Sequence, residues 1–337
     1  MKTLSLPRLN TTALVYLALA GVLVLGGVIT AANGHNLFST GNIVDTFGRS
    51  SLLGFIAIGQ TLVILCRSLD LSVGYVMALS SLVVAELMDG DAANMPMAVA
   101  ATLGLAGLIG AANGLVITKL KVNAFIATLG VGLIIKGFLD TVYAGPAGKV
   151  SDSFESFGYT RIGPLPLSTL LMLVTAAAGV WFLARSRTGH HIYAVGGDRE
   201  VARLSGVRTD RTVITAHVLC AMAAGVAGLL IASRFGTGSA LVYDDGFDLE
   251  SIAAVVLGGT ALMGGRGGIA GTVAGVLILA VADTVFNLLR VDPFVKDVLR
   301  GVIIIVAVAI YAGRRLGVTR VRFPSGTRKP ATQGVKA

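Results

Sequence analysis

The stretch PMAVAATLGLAGLIGAANGLVIT, residues 96–118, contains no charged side chain. A helix needs about 20 apolar residues to cross the hydrocarbon core of a bilayer, and this stretch is long enough to do so. Intervals of three and four residues place four of its glycines on one helical face, where a second backbone can approach closely: Gly104, Gly107, Gly110 and Gly114. The stretch therefore predicts a transmembrane helix packed against a neighbouring helix.

Similar apolar runs fill most of the chain, whose residues are 54% hydrophobic and only 13% charged. Soluble domains usually carry about 25% charged residues, so the composition indicates a membrane protein. Including the first stretch, the runs fall at 12–32, 50–66, 71–88, 96–118, 122–144, 167–184, 212–234, 248–264, 268–289 and 297–313. We predict an all-α membrane protein with about ten transmembrane helices, within a range of about nine to eleven, because two runs are short or begin with polar residues.

The distribution of lysine and arginine predicts the orientation, because these residues accumulate on cytoplasmic loops. With ten helices, the N-terminus, the loop 185–211 and the basic C-terminus fall on the same side, which predicts an N-in and C-in topology. We expect one transmembrane domain over 1–317 and a disordered basic cytoplasmic tail over 318–337. The net charge of +9 then reflects topology and contact with anionic membrane lipid, with no nucleic acid partner.

The loop 185–211 is the largest that this topology places in the cytoplasm. Within it, Gly196 and Gly197 are expected to break the chain, Asp198 to cap a short helix over REVARLS, and Gly206 to end it. One face of that helix carries Val201 and Leu204, and another carries two arginines, Arg199 and Arg203. Two interpretations stay open: a solvated helix lying on the headgroups, or a docking helix for a cytoplasmic partner.

Four stretches of the chain resemble the ribose/xylose-type sugar permeases, the inner-membrane subunits of bacterial ABC importers in the branched-chain amino acid and ribose permease family. They are LDLSVGYVMALSS at 69–81, VNAFIATLGVGLIIKG at 122–137, GHHIYAVGGDREVARLSGV at 189–207 and DLESIAAVVLGGTALMGGRGGIAGTVAGV at 248–276. All four occur in the order and spacing of that family. Two positions depart from it: Asp198 replaces the usual Asn, and Arg67 stands where a small residue is common.

The resemblance implies a type II ABC importer permease fold and a transport function without an enzymatic activity of the chain's own. It implies three protein partners: a cytoplasmic ABC ATPase, a periplasmic sugar-binding protein, and a second permease copy or paralogue. It also makes 185–211 the coupling loop that docks on the ATPase. The coupling residues implied by the resemblance are Gly196, Gly197, Asp198, Arg199, Val201, Arg203, Leu204 and Gly206.

Sequence signatures of catalysis and of cofactor binding are absent from the chain, which contains no GxxxxGK[ST], GxSxG or HExxH motif. No cofactor and no metal site are therefore predicted. The glycines near 265 fit GxGxx(G/A), but the apolar run that follows is long enough to span a bilayer. We interpret Gly267, Gly271 and Gly275 as a second helix-packing face. Cys66 and Cys220 lie in apolar runs and are predicted to be small core residues.

Polar residues within the predicted spans are candidates for a sugar path, because polar groups are costly in lipid and usually face protein or water. The candidates are Gln60, Asp70, Ser72, Asn113, Asn123, Thr128 and Asn287, with Ser80 and His217 as further ones. The alternative for each residue is a hydrogen bond between helices. For Asp70, capping of the following helix is the first interpretation and a substrate contact the second.

An ion-coupled secondary transporter is the alternative function. Such a protein needs an intramembrane carboxylate relay, and Asp283 is the only acid inside a long predicted span. Lys136 and Asp140 are four residues apart and are predicted to form a salt bridge. The sequence leaves open which solute is carried and whether the permease pairs with itself or with a paralogue.

Overall fold

A computed structural model describes residues 11–292, 294–296, 298–299, 301–302 and 305 of the 337-residue chain. Almost all regular structure there is α-helical, which confirms the all-α prediction. The exceptions are a hairpin of two strands with two residues each, β1 (Arg161–Ile162) and β2 (Leu165–Pro166), and two short 3-10 helices. The helices are α1 (Thr11–Ala32), α2 (Thr40–Leu65), α3 (Val73–Met88), α4 (Met95–Lys119), α5 (Ala124–Val142), α6 (Asp152–Tyr159), α7 (Leu167–Arg185), α8 (Arg187–Gly197), α9 (Arg199–Leu204), α10 (Thr209–Phe235), α11 (Phe247–Leu257) and α12 (Ile269–Leu288).

Seven segments in the described part of the chain are long and apolar enough to cross a membrane: α1, α2, α4 with the short turn before it, α5, α7, α10 and α12. Helix α3 is apolar but has only 16 residues. Most of the predicted run 297–313 and the whole tail 318–337 lie outside the described residues. The structure is thus that of a multi-pass helical membrane protein, while the count of ten helices and the N-in and C-in topology stay predictions.

Two of the predicted spans have different bounds in the structure. Helix α2 begins at Thr40, ten residues before the predicted run 50–66, with the Ser39 side chain accepting a hydrogen bond from the Asn42 amide. The predicted run 248–264 is wrong as a full span, because α11 has 11 residues and ends at Leu257. At 1.5 Å per residue it covers roughly 16 Å, about half of the hydrocarbon core.

Helices α2, α3 and α10 form the centre of the bundle, and every residue of α2 from Ser50 to Leu65 is buried. The first quoted stretch forms α4, which packs along α10 as predicted. A Cβ atom on Gly114 would lie 2.6 Å from the Ile214 Cα atom, and one on Gly110 would overlap the backbone of α10. Gly107 makes an ordinary contact with Met222, whereas Gly104 faces open space, so the predicted glycine face is wrong at that position.

The second predicted glycine face lies where α11 crosses α12. Gly271 and Gly275 lie directly against the backbone of α11, which confirms the prediction for both. Gly267 precedes α12 and has a positive φ of 122° next to Thr260, so it belongs to the loop rather than to the helix face. Substitution of any of the three would bring a side chain into contact with main-chain atoms that have no room to move.

Candidate functional site

A cavity of about 630 Å³ opens at the end of the bundle formed by the N-terminal part of α2 and the C-terminal end of α10. Its wall also includes residues of α11 and α12 and of the loop between α10 and α11. We name this cavity the vestibule. Five charged side chains line it: Arg49, Arg234, Asp245, Glu250 and Asp283. Three hydroxyl groups, those of Ser50, Thr237 and Ser239, lie between them.

The acid singled out for the alternative function, Asp283, lies in the wall of the vestibule. Its carboxylate is 3.5 Å from the Arg49 guanidinium and accepts a hydrogen bond from the Asn287 side-chain amide at 3.3 Å. Asp283 is therefore held in an ion pair at the vestibule wall. Asn287, a predicted substrate-path residue, contacts the vestibule through this acid.

Five polar side chains form a buried cluster between α2, α3, α4 and α10, which we name the polar cluster: Ser68, Asp70, Ser72, Asn113 and His217. The Asp70 carboxylate is fully buried and lies 3.0 Å from His217 Nδ1. Its other oxygen accepts hydrogen bonds from the Ser72 amide at 3.0 Å and the Ser72 hydroxyl at 2.6 Å. His217 Nε2 is 2.9 Å from the Ser68 hydroxyl.

The polar cluster corrects the first interpretation of Asp70. The N-cap residue of α3 is Ser72, and Asp70 binds the Ser72 amide from two residues earlier instead of capping the helix itself. The sequence places Asp70 at a loop between two helices, but in the fold that loop turns into the bundle and the carboxylate meets His217. Asn113, 41 residues beyond Ser72 in the sequence, is therefore a direct neighbour of Asp70 and Ser72.

The other candidates lie at separate places. Gln60 is fully buried in α2, accepts a hydrogen bond from the Cys220 thiol at 3.5 Å, and has no partner for its side-chain nitrogen among the described residues. The Thr128 hydroxyl accepts a hydrogen bond from the Leu71 amide at 3.1 Å. Asn123 caps α5. None of the seven candidates is among the described residues that line the vestibule, and their role in a substrate path stays a prediction.

At the opposite end of the bundle, α8 and α9 form the segment predicted to be the coupling loop, and we name this the α9 end. The Asp198 side chain accepts hydrogen bonds at 2.9 Å from the Glu200 and Val201 amides, which confirms the predicted cap. Helix α9 spans six residues, and Gly206 follows it with a φ of 83°, as expected of a residue that ends a helix. The Leu204 side chain is 83% exposed.

The pair Gly196 and Gly197 does not break the chain, because α8 continues to Gly197. A Cβ atom on Gly196 would overlap the Leu65 carbonyl group at the end of α2 and would lie 2.6 Å from the Gly265 nitrogen. The Gly265 amide itself donates to the Leu65 carbonyl at 3.0 Å. Gly196 is therefore a point of close contact between α8, α2 and the loop that precedes α12, whereas a Cβ atom on Gly197 would face open space.

Helix α2 joins the two ends of the bundle. Leu52 and Leu53 line the vestibule, and Leu65 lies against α8 at the α9 end. The twelve steps from Leu53 to Leu65 cover roughly 18 Å of a continuous helix at 1.5 Å per residue. Helix α2 is therefore one continuous, buried element between the vestibule wall and α8.

At the α9 end, burial raises the pKa of two titratable side chains. The Cys66 thiol is buried directly after α2, and loss of hydration raises its pKa to about 12, so it stays protonated. Burial also raises the pKa of the Tyr193 phenol, which donates to the Gly267 carbonyl at 2.9 Å.

Both cysteines are buried and unpaired, as predicted. No group of three or more metal-binding side chains occurs within the described residues.

Two charged residues that line the vestibule, Arg49 and Arg234, were missed by sequence reasoning. Arg49 lies one residue outside the predicted run 50–66, and Arg234 is the last residue of the predicted run 212–234. The available signal was an arginine adjoining or within an apolar run, which usually faces protein or water. By contrast, the predicted pair Lys136 and Asp140 is confirmed at 2.7 Å.

Residues 42–308 match the family described as "Branched-chain amino acid transport system / permease component". The ribose import permease protein RbsC of Escherichia coli K12 is 35% identical over 299 residues, covering 87% of this chain and 92% of that protein. RbsC of Bacillus subtilis is 34% identical over 277 residues, or 80% and 84% of the two chains. The L-arabinose transport system permease protein AraH of Escherichia coli K12 is 36% identical over 259 residues, or 77% and 78%. No solved structure matches the chain.

Proposed function

The chain belongs to the family of permease components of branched-chain amino acid transport systems, and we propose that it is the membrane permease subunit of an ABC importer for a sugar or a related small polar solute. It is a multi-pass inner-membrane protein without a catalytic role of its own. In the proposal, a periplasmic binding protein delivers the solute at the vestibule, and a cytoplasmic ATPase binds at the α9 end. A second permease copy or paralogue completes the pathway.

The relatives support the solute class, because their names state import of ribose and transport of L-arabinose. The vestibule fits a polyhydroxylated solute on chemical grounds. Sugar hydroxyls both donate and accept hydrogen bonds, and the wall offers carboxylates that accept, guanidinium groups that donate, and hydroxyls that do both. Because a separate protein would supply affinity, the vestibule needs only weak contacts with the solute.

The observation that carries the coupling mechanism is the exposure of two apolar side chains on a short, capped helix. Val201 is 60% exposed and Leu204 is 83% exposed, and Arg203 pairs with Glu200 at 2.8 Å beside them. An apolar centre with a charged rim is the usual composition of a protein docking surface. A displacement of α9 by the ATPase would move α8, whose Gly196 lies against the C-terminal end of α2. Helix α2 would transmit that displacement to the vestibule.

Replacing Leu204 with arginine tests the docking surface. Leu204→Arg puts a charge in the centre of the proposed contact, while the exposed side chain leaves the fold intact. We expect normal membrane insertion, loss of ATPase co-purification, and at least a tenfold loss of ATP-driven uptake in proteoliposomes, as for a central interface residue. Ser205→Arg adds the same charge one residue along the chain, about 100° around the helix, and should keep most of the binding.

Normal ATPase binding by Leu204→Arg would overturn the docking surface. A separate experiment addresses the ion-coupled alternative, in which proteoliposomes that contain this chain without any ATPase are given a proton or sodium gradient. Gradient-driven uptake that disappears in Asp283→Asn would establish a secondary transporter. The importer proposal leads us to expect no gradient-driven uptake in either protein.

A further inference from the structure

A second cavity, of about 850 Å³, lies at the α9 end, between α9, the C-terminal ends of α2 and α4, and the N-terminal end of α10. We name it the basic pocket, because seven basic side chains line it: Arg67, Lys119, Lys121, Arg199, Arg203, Arg208 and Arg211. The acidic side chains among its lining residues are Glu200 and Asp210. Two threonines, Thr118 and Thr209, also reach its wall.

The two acids are already used by three of the basic groups. Asp210 binds both Lys119 and Arg199 at 3.0 Å, and Glu200 binds Arg203 at 2.8 Å. The other four basic side chains form no ion pair with any residue that the structure describes; they are Arg67, Lys121, Arg208 and Arg211. A concave wall with this excess of one charge attracts an anion.

Two of the four unpaired groups occupy an uncommon backbone conformation. Arg67 follows the end of α2 with a φ of 61°, and Lys121 follows the end of α4 with a φ of 56°. Glycine is the usual residue at such a helix end, because a Cβ atom disfavours positive φ. A cation near a helix C-terminus is favourable, which accounts for each residue singly. It does not account for the convergence of cations from several elements on one cavity.

We propose that the basic pocket binds a phosphate monoester. Its dianion brings enough charge to engage several unpaired cations at once, and guanidinium groups pair with two phosphate oxygens simultaneously. Five of the seven cations are arginines, whose planar guanidinium groups suit a phosphate, and the excess of positive charge favours a dianion over a single carboxylate. The same chemistry occurs in a soluble phosphorylated metabolite and in the headgroup of phosphatidic acid.

The bound group would link α9 to the ends of α2 and α4. Arg203 belongs to α9, whereas Arg67 and Lys121 follow the two long helices. One anion held between them restrains the short helix relative to the bundle, so the site is positioned to modulate coupling. The binding itself does not depend on the solute that the vestibule carries or on the proposed function.

The test uses the full chain in nanodiscs and two probes. In zwitterionic nanodiscs, glycerol 3-phosphate is titrated and binding is followed by calorimetry. In the second arm, nanodiscs contain phosphatidic acid, and lipid retained after purification is counted by native mass spectrometry. The variant is Arg67→Gln with Lys121→Gln, and the matched control is Arg187→Gln with Arg266→Gln, two exposed basic residues outside the pocket.

We expect one probe to bind and the pocket variant to bind it at least about tenfold more weakly, while the control variant binds as the parent does. Binding of glycerol 3-phosphate identifies a soluble ligand, and retention of phosphatidic acid alone identifies the lipid headgroup. Absence of binding to both, or equal loss in both variants, overturns the proposal. The proposal also fails if the pocket variant loses ATPase co-purification while the parent binds neither probe, because the cations would then serve a protein partner.

Discussion

The polar cluster and α9 are both polar interruptions of an apolar chain, but they differ in burial. Asp70, His217 and Asn113 are fully buried and bind one another, whereas Val201 and Leu204 on α9 are exposed among charged neighbours. A buried polar group destabilises the fold when it loses its hydrogen-bond partners, whereas an exposed side chain contacts water and contributes little to the stability of the fold. We therefore expect changes in the polar cluster to destabilise the fold, and changes on α9 to affect function while the fold stays intact.

The largest expected effect on stability is that of Asp70→Ala. The substitution removes the shared partner of His217, Ser72 and Asn113 and leaves them buried without it, at a cost of about 3 kcal/mol or more. The measurement is thermal unfolding in detergent, followed by size-exclusion chromatography of the heated samples. Asp70→Asn, which keeps one acceptor oxygen, should lose less. A parent-like melting temperature together with lost transport would instead make Asp70 a substrate contact.

Gly196→Ala is an exception to this comparison, because Gly196 belongs to the α9 end and is nevertheless buried. The added Cβ atom would overlap the Leu65 carbonyl group, and main-chain atoms cannot rotate away, so we expect a loss of about 1–3 kcal/mol. Gly197→Ala is the matched control, because no atom lies within 4 Å of its Cβ position. The same melting assay applies to both. Equal melting temperatures for the two variants would contradict the contact of α8 with α2.

The sequence was most informative where a feature depends on contiguous residues. Residues 198–206 contain the cap, the exposed pair and the terminating glycine of α9, so local rules predicted that helix correctly. The vestibule depends on residues from Arg49 to Asp283, which only the packing of α2, α10 and α12 brings together. Periodicity can mark a polar residue as costly in lipid, but it cannot identify the neighbours of that residue.

The bounds of helices show the same limit. Hydropathy began the second run at residue 50, after the charged residues Asp45 and Arg49, yet α2 begins at Thr40 and includes both, since Arg49 lines a cavity rather than facing lipid. It extended the run 248–264 past Leu257, because glycines count as apolar although Gly259, Gly264 and Gly265 adopt positive φ and turn the chain. Average hydropathy thus gave wrong helix bounds in two situations: where the backbone leaves the helix, and where a charged residue lines a cavity inside the protein.

The smallest expected effect belongs to Asp198, and it sharpens the comparison within α9 itself. Asp198→Ala removes the acceptor for the Glu200 and Val201 amides, which should cost about 1 kcal/mol of local helix stability. Asp198→Asn keeps a capping oxygen and should leave that stability nearly unchanged, because the two residues cap helices about equally well. Hydrogen exchange of the α9 amides measures both effects. If Asp198→Asn left exchange unchanged but altered ATPase affinity, the aspartate would act through its charge on the partner rather than through the cap.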